Sequence, residues 1–211
     1  LVGSEMCIRD SRHVLTADLT MSNFIEQYPD SITSEECLSL ITLFESSPEL
    51  QKPGHTTLGY NPENKEDTEI LLDGELINNN QDWKKAFTPV YDALYKNLDL
   101  YKEKYTHLED LDVWAIQKPG INFQRFYPNE GYKTWHCEVP CAESSKRVLV
   151  WMLYLNTVTD LGGTEFDYQN FTCKAESGKM VIWPPYWTHF HRSQVSPSQL
   201  KYIMTGWFAY V

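Results

Sequence analysis

The chain has 211 residues, 42% of them apolar and 14% aromatic, which is typical of a globular domain with a substantial core. Its formal net charge of -11 argues against a nucleic-acid partner, because phosphate backbones are bound through basic surfaces. No apolar run reaches the length of a membrane span, so no membrane partner is expected. Five cysteines without a Cys-x-x-Cys pair or a secretory signal favour reduced thiols and a cytoplasmic location.

The first twenty residues are treated apart from the rest. Residues 6–11 look like the translation of a sequencing-library adapter, and Met21 looks like a natural start. We interpret residues 1–20 as a non-native adapter segment or, alternatively, as a disordered tail. Residues 21–211 are predicted to form a single domain. The acidic balance survives removal of residues 1–20, because they hold three acidic and two basic residues.

Two helices are predicted in residues 21–110, which we interpret as a helical part of the domain. Thr33 and Glu36 have the spacing of a capping box, which predicts a helix from about residue 34 to residue 46. Apolar residues at helical spacing predict a second helix over residues 82–104. Pro89 is expected to kink or divide this second helix.

Residues 48–80 separate the two helices and are polar, with many Gly, Asn and Pro residues. One short apolar run, residues 70–72, has the character of a strand. We predict a long surface excursion with one strand. A loop of this length is typically functional or mobile.

Residues 111–211 have the texture of a β-rich core. Short apolar or alternating runs, rich in β-branched and aromatic residues, are separated by turns, which favours a sandwich or a barrel. The predicted strands are residues 113–117, 121–127, 147–156, 164–168, 179–183 and 200–210.

His136 and Glu138 form a candidate metal-binding pair. In an extended segment, residues two apart project from the same face, so an imidazole and a carboxylate can hold one ion. A third ligand must come from another part of the fold, and His191 is the candidate. Two histidines and one carboxylate on one side of a metal, with other positions open, is the arrangement of non-haem Fe(II) oxygenases.

The order of motifs carries a family resemblance. The motif residues are the aromatic Phe126, Tyr127 and Tyr132, the pair His136 and Glu138, the turn Gly162 and Gly163, and the distal His191 with Lys201 ten residues later. From roughly Trp114 onward, this order resembles the prolyl 4-hydroxylase-like branch of the 2-oxoglutarate and Fe(II)-dependent dioxygenases. The resemblance implies a mainly β fold with N-terminal helices (α+β). Its core would be a double-stranded β-helix (jelly-roll, cupin-like), with supporting helices on one face.

The resemblance also bears on the choice of distal ligand. His189 and His191 lie on one face if the segment is a strand, so both are candidates. The separation of ten residues between His191 and Lys201 matches the family, which favours His191 and leaves His189 as the alternative ligand. Most of this branch has Asp at position 138. The longer Glu138 predicts a metal that is slightly displaced or more weakly bound.

The resemblance implies further that Lys201 pairs with the C5 carboxylate of 2-oxoglutarate. Alternation along the last strand places Lys201, Thr205 and Trp207 on one face. Tyr132 and Thr205 are candidate hydroxyl donors to the cosubstrate, and Trp207 is a candidate wall of its site. Tyr127 is a weaker candidate for the same site.

The function implied is that of a hydroxylase that uses Fe(II), 2-oxoglutarate and O2, with ascorbate as a further candidate cofactor. The expected substrate is a prolyl or other side chain of a peptide or protein, with a small molecule as the other option. Two alternatives stay open: a cupin-like metalloprotein, and a non-catalytic jelly-roll protein with a binding or structural role. The sequence does not indicate which oligomeric state the protein adopts.

Overall fold

The computed structural model describes residues 22–56, 59–118 and 120–211, so the interpretation of residues 1–20 lies outside the described residues. Three α-helices occur in this part of the chain: α1 (Ser34–Glu45), α2 (Gly74–Asn79) and α3 (Gln81–Lys104). The strands are β1 (Glu26–Tyr28), β2 (Lys52–Pro53), β3 (Lys65–Glu66), β4 (Thr68–Asp73), β5 (Trp114–Ile116), β6 (Gly120–Phe126), β7 (Gly131–Tyr132), β8 (Arg147–Tyr154), β9 (Thr164–Phe166), β10 (Phe171–Cys173), β11 (Met180–Trp183), β12 (His191–Ser193) and β13 (Lys201–Tyr210).

Both predicted helices are present, and their ends have physical causes. At the start of α1, Thr33 Oγ1 accepts a hydrogen bond from the backbone N–H of Glu36, and the Glu36 carboxylate accepts one from the N–H of Thr33. These two bonds satisfy amide groups that have no partner within the helix. Helix α3 runs on through Pro89, so the expected division at this residue is wrong.

Two sheets face each other, as expected for the predicted jelly roll. The larger sheet has eight strands in the order β1-β11-β8-β13-β6-β4-β2, with β5 paired to β13. A three-stranded sheet has the order β10-β9-β12. The strands pair antiparallel throughout the described registers. The prediction of a double-stranded β-helix core with helices on one face is therefore confirmed.

Strand β8 shows how one sheet serves two cores, since successive side chains of a strand point to opposite faces. One set packs against the helices: Leu149, Trp151 and Leu153. The other set packs between the two sheets: Val150, Met152 and Tyr154. All eight residues of β8 except the first are buried, which explains its nearly continuous apolar sequence.

Residues 48–80 differ from the prediction. Three strands and a helix occur in this range, where the sequence predicted a surface excursion with one strand. Strand β4 pairs with β6 over six residue pairs and so extends the larger sheet. The division at residue 110 between a helical part and a β core differs as well, because β1, β2 and β4 belong to the larger sheet. The apolar run was too short to reveal that its polar neighbours are also paired.

Within the described ranges, no helix combines the length and the apolar character needed to cross a membrane.

Gly206 offers a test of this packing, because it lies in β13 against the buried ring of Trp151. A Cβ at this position would lie 2.7 Å from Trp151 Cζ2. We expect Gly206→Ala to lower the free energy of unfolding by about 1–3 kcal/mol, the usual cost of overpacking a core. The matched control is Gly74→Ala at the start of α2, where an added Cβ meets nothing within 4 Å. Urea unfolding of both variants measures the difference, and equal midpoints would contradict the packing described.

Candidate metal centre and adjoining cavity

His136 and His191 are brought together by a pair of backbone hydrogen bonds. The N–H of His136 donates to the carbonyl of His191 at 3.0 Å, and the N–H of His191 donates to the carbonyl of His136 at 2.9 Å. His191 is the first residue of β12, whereas His136 lies outside the named strands. Glu138 is held nearby, because its N–H donates to the carbonyl of Pro185 at 2.9 Å. Two segments about fifty residues apart thus meet at one point.

The three predicted ligands converge there. Glu138 Oε1 lies 3.6 Å from His136 Nε2 and 3.3 Å from His191 Nε2. One potential ligand atom from each residue lies within 4.8 Å of the other two. Two atoms bound to one ion at about 2.1 Å each lie about 3 Å apart at a right angle. The observed separations therefore fit a single divalent ion, and the donor set is the one that non-haem iron uses.

The two imidazoles are oriented by backbone carbonyls. Nδ1 of His136 lies 2.9 Å from the carbonyl oxygen of Thr134, and Nδ1 of His191 lies 2.9 Å from that of His189. A carbonyl only accepts hydrogen bonds, so each Nδ1 carries the proton. In the neutral rings, Nε2 then has a free lone pair directed toward Glu138. Burial, together with His191, lowers the pKa of His136, which favours this neutral form.

Glu138 is held as a carboxylate and is anchored from behind. Burial by itself would raise its pKa, but the neighbouring His136 and His191 hold the pKa well below its ordinary value. Its other oxygen, Oε2, accepts a hydrogen bond from Trp207 Nε1 at 3.0 Å and lies 3.3 Å from Arg147 Nη1. The two carboxylate oxygens therefore have different neighbours: Oε1 faces the two imidazoles, and Oε2 faces Trp207 and Arg147.

Arg147 was missed in the sequence analysis. Its guanidinium donates to the Glu138 carbonyl at 2.6 Å and to Gln117 Oε1 at 2.8 Å, and it lies 3.7 Å from the ring centre of Trp207. As the first residue of β8, it looks like an ordinary charged strand end. Only the approach of the segment containing Glu138 reveals its role.

The alternative distal ligand, His189, does not face this point. Its Nε2 lies 2.9 Å from the carbonyl oxygen of Asn23, and its Nδ1 lies 2.9 Å from Thr188 Oγ1. His189 ends a 3₁₀-helix, Trp187–His189, whereas His191 begins β12. The assumption that both lie on one strand face is therefore wrong. His189 contributes instead through its backbone carbonyl, which orients His191.

A cavity of about 180 Å³ links the metal centre to Lys201. The predicted residues Tyr132, Thr205 and Trp207 line it together with the three candidate ligands. Residues that the sequence analysis missed also line it: His55, Lys65, Asn122, Gln124, Arg147 and Ser193.

Lys201 is the most deeply buried cation of this cavity, with 3% of its surface exposed. In the described part of the chain it forms no ion pair, and its Nζ has one polar contact, Ser193 Oγ at 3.4 Å. The ammonium also lies 4.7 Å from the ring centre of Phe126. Burial lowers the pKa of Lys201 to about 8, and the charge of Asp67 opposes this shift. Since buried charges are normally paired, this ammonium is suited to a carboxylate ligand.

Three aromatic residues differ in how they relate to the cavity. Tyr132 stacks on His136, with ring centres 3.5 Å apart and planes at 10°. Trp207 was predicted as a wall, and it is also the hydrogen-bond donor to Glu138. Tyr127 lies elsewhere: its side chain is exposed, and its ring packs against Arg125 at 4.6 Å. The prediction that Tyr127 contributes to the cosubstrate site therefore disagrees with its position.

Known proteins resemble this chain in structure rather than in sequence. No protein-family model and no curated protein matches the sequence. Solved structures do match. A prolyl hydroxylase of Trichoplax adhaerens, in complex with a peptide fragment of hypoxia inducible factor, has a TM-score of 0.67 at 14% identity, over 89% of this chain and 84% of its own. A Pseudomonas putida prolyl-4-hydroxylase has a TM-score of 0.63 at 14% identity, over 89% and 93%.

The fold is that of the prolyl hydroxylases. A third structure, the viral collagen prolyl hydroxylase of Paramecium Bursaria Chlorella virus-1 in its 2OG complex, has a TM-score of 0.60 at 16% identity. It covers 89% of this chain and 97% of its own. At these identities the likeness concerns the fold, and the chemistry has to be argued from the site.

The anchoring of Glu138 can be tested through metal affinity. Trp207→Phe removes the N–H donor to Oε2 and keeps an aromatic ring in place. We expect the affinity for Mn(II) to fall by roughly 10-fold, the lower end of the effect of losing a partner of a metal ligand. Trp187→Phe is the control, because Trp187 is 68% exposed. Chelator competition measures both, and equal affinities of the two variants would contradict a role for Trp207.

Proposed function

We propose that this protein is a 2-oxoglutarate-dependent hydroxylase that holds Fe(II) with His136, Glu138 and His191. The observation that carries the proposal is that one cavity contains both a convergent two-histidine, one-carboxylate group and a buried ammonium that forms no ion pair with any described residue. Each feature alone has ordinary structural explanations. Together they match the two ends of a keto dicarboxylate: one end that chelates a metal and one that needs a cation.

At the metal end, the protein supplies ligands and fixes their orientation. His136 and His191 present Nε2, and Glu138 presents Oε1. When bound, Fe(II) and 2-oxoglutarate activate O2, so that one oxygen atom enters a substrate C–H bond and the other enters succinate as CO2 is lost. Arg147 and Trp207 hold the second oxygen of Glu138, which leaves its first oxygen free for the metal.

At the other end, Lys201 pairs with the distal carboxylate of 2-oxoglutarate, and Ser193, whose Oγ lies 3.4 Å from Lys201 Nζ, supplies a hydroxyl group beside it. The side walls between the two ends are largely apolar: Phe126, Met152, Trp183 and Ile203. Such walls exclude water, which strengthens the charge interactions inside and protects a reactive site.

The substrate is proposed to be a side chain of a peptide or protein. A cavity of about 180 Å³ is small for a ligand site and is largely occupied by the cosubstrate. Next to it is an open groove that shares Arg192 and Ser193 with the cavity and also includes Lys133, Leu161 and Glu165. A substrate resting in this groove inserts one side chain toward the metal. The Trichoplax adhaerens structure, which contains a peptide fragment, supports this proposal.

The two alternative functions have less support. A cupin-like reading relied on His189 and His191 as a ligand pair, and the ring nitrogens of His189 are engaged elsewhere. A non-catalytic jelly roll has no use for three convergent ligand atoms in the same cavity as a buried lysine that no described carboxylate pairs with. Ascorbate stays a candidate cofactor on the family resemblance.

The ligand assignment can be tested by turnover. We expect His191→Ala to abolish iron-dependent conversion of 2-oxoglutarate to succinate, because it removes a ligand. His189→Ala should retain this conversion, because the carbonyl that orients His191 is part of the backbone. Succinate is measured with and without candidate peptides, and a gain of one oxygen by a peptide is followed by mass spectrometry. Loss of turnover in His189→Ala alone would reverse the assignment.

The role of Lys201 predicts a different kinetic signature. Lys201→Ala removes a charge-assisted hydrogen bond to the cosubstrate but leaves the metal ligands intact. We expect the KM for 2-oxoglutarate to rise roughly 10- to 100-fold, which corresponds to such a bond. Metal affinity should stay that of the unmodified protein. An unchanged KM would show that the distal carboxylate binds elsewhere.

A further inference from the structure

Three charged residues at alternate positions of the chain lie beside the distal end of the cavity. Lys65, Asp67 and Glu69 are spaced two apart in an extended segment, so their side chains share one face. Lys65 Nζ lies 3.0 Å from Glu69 Oε2 and 3.4 Å from Asp67 Oδ2, and it donates to the His55 carbonyl at 3.3 Å. The sequence analysis placed this segment in a surface excursion and assigned it no role.

Strand register places Asp67 close to Lys201. The register of β4 with β6 begins with Thr68 and Arg125, and Asp67 immediately precedes it, at the Phe126 end of β6. Phe126 in turn pairs with Lys201 in β13. Asp67, just before β4, therefore lies toward the same end of the sheet as Phe126 and Lys201, and the ammonium of Lys201 lies over the ring of Phe126. The charge of Asp67 acts on Lys201.

Asp67 is buried and only partly satisfied. Its side chain is fully buried, and Oδ2 accepts a hydrogen bond from Gln124 Nε2 at 2.6 Å. Oδ1 has no hydrogen-bond partner among the described residues. Gly54 packs directly against it, because a Cβ at position 54 would lie 1.8 Å from Oδ1. A buried carboxylate is costly, so its retention here calls for a function beyond packing.

Asp67 does not line the cavity, yet it contacts or acts on three residues that do: Lys65, Gln124 and Lys201. It pairs with the ammonium of Lys65, and its charge also acts on that of Lys201. Two ammonium groups in one buried wall would otherwise repel each other. We infer that Asp67 is a positioning residue: by fixing Lys65 and Gln124 in the wall that also contains Lys201, it shapes the site for the distal carboxylate of the cosubstrate. This inference rests on the proposed function, since it takes 2-oxoglutarate as the ligand.

The test compares two ligands that differ only at the distal end. 2-Oxoglutarate has the distal carboxylate, and 2-oxopentanoate has a methyl group in its place. Binding of each to the Mn(II)-loaded protein is measured by calorimetry without O2. For Asp67→Asn, we expect the affinity for 2-oxoglutarate to fall about tenfold and that for 2-oxopentanoate to change by less than about twofold. A general loss of structure would lower the affinity for both ligands equally.

Glu69→Gln is the matched control. Glu69 also pairs with Lys65, but it is partly exposed and pairs across the sheet with Gln124, which pairs with Ile203, two residues along β13 from Lys201. We expect this variant to bind both ligands as the unmodified protein does. If Asp67→Asn does not fold, Gly54→Ala replaces it, because the added methyl group displaces the carboxylate without removing its charge. A selective loss for 2-oxoglutarate in Gly54→Ala then supports the inference.

Failure of the role of Asp67 and failure of the proposed function give different binding results. If the unmodified protein binds 2-oxoglutarate better than 2-oxopentanoate but Asp67→Asn affects both ligands alike or neither, then the role of Asp67 is refuted and the proposed function stands. If the unmodified protein binds neither ligand in the presence of metal, then the proposed function is wrong, and the inference with it.

Discussion

The reciprocal backbone bridge between His136 and His191 is the constraint on which the rest of the site depends. Each residue donates its N–H to the carbonyl of the other, so the two imidazoles start from adjacent and fixed backbone positions. Their Nδ1 atoms are then held by two further carbonyls, so that little rotational freedom remains. A metal site of this kind loses little entropy when an ion binds, because its ligands are already oriented.

Burial of charge is the second theme of the molecule. Glu138, Lys201 and Asp67 are all withdrawn from water, and each is balanced differently. Glu138 has two donors at Oε2, Trp207 and Arg147. Asp67 has Gln124 and Lys65, and Lys201 has the hydroxyl group of Ser193 and the charge of Asp67 nearby. Lys201 has the fewest polar partners of the three, and it is the group at the distal end of the cavity. This pattern is expected where a ligand completes the pairing.

The shared use of the larger sheet explains how such a site is kept rigid. One face of strands β8 and β13 packs on the helices, and the other face packs on the smaller sheet and lines the cavity. Lys201 and its neighbours are thus mounted on a strand that is buried on both sides. Residues before 110 contribute to this arrangement, because β4 extends the same sheet and Asp67, which immediately precedes β4, contacts Gln124 of β6.

Hydrophobic periodicity was enough to predict the two long helices and a β-rich core, because periodicity is a local property of the chain. The jelly-roll fold, the choice of His191 and the role of Lys201 followed from the resemblance of the motif order to a known family. Neither periodicity nor the resemblance was enough to predict Arg147, Gln124, Ser193 or Asp67, since charged and polar residues on strands look the same whether they face solvent or a cavity. The choice between His189 and His191 shows the same limit. Spacing favoured His191, but only the folded chain shows that His189 ends a 3₁₀-helix and that its Nε2 faces the carbonyl of Asn23. Contacts between segments distant in sequence arise only when the chain is folded, and the second layer of the site consists of such contacts.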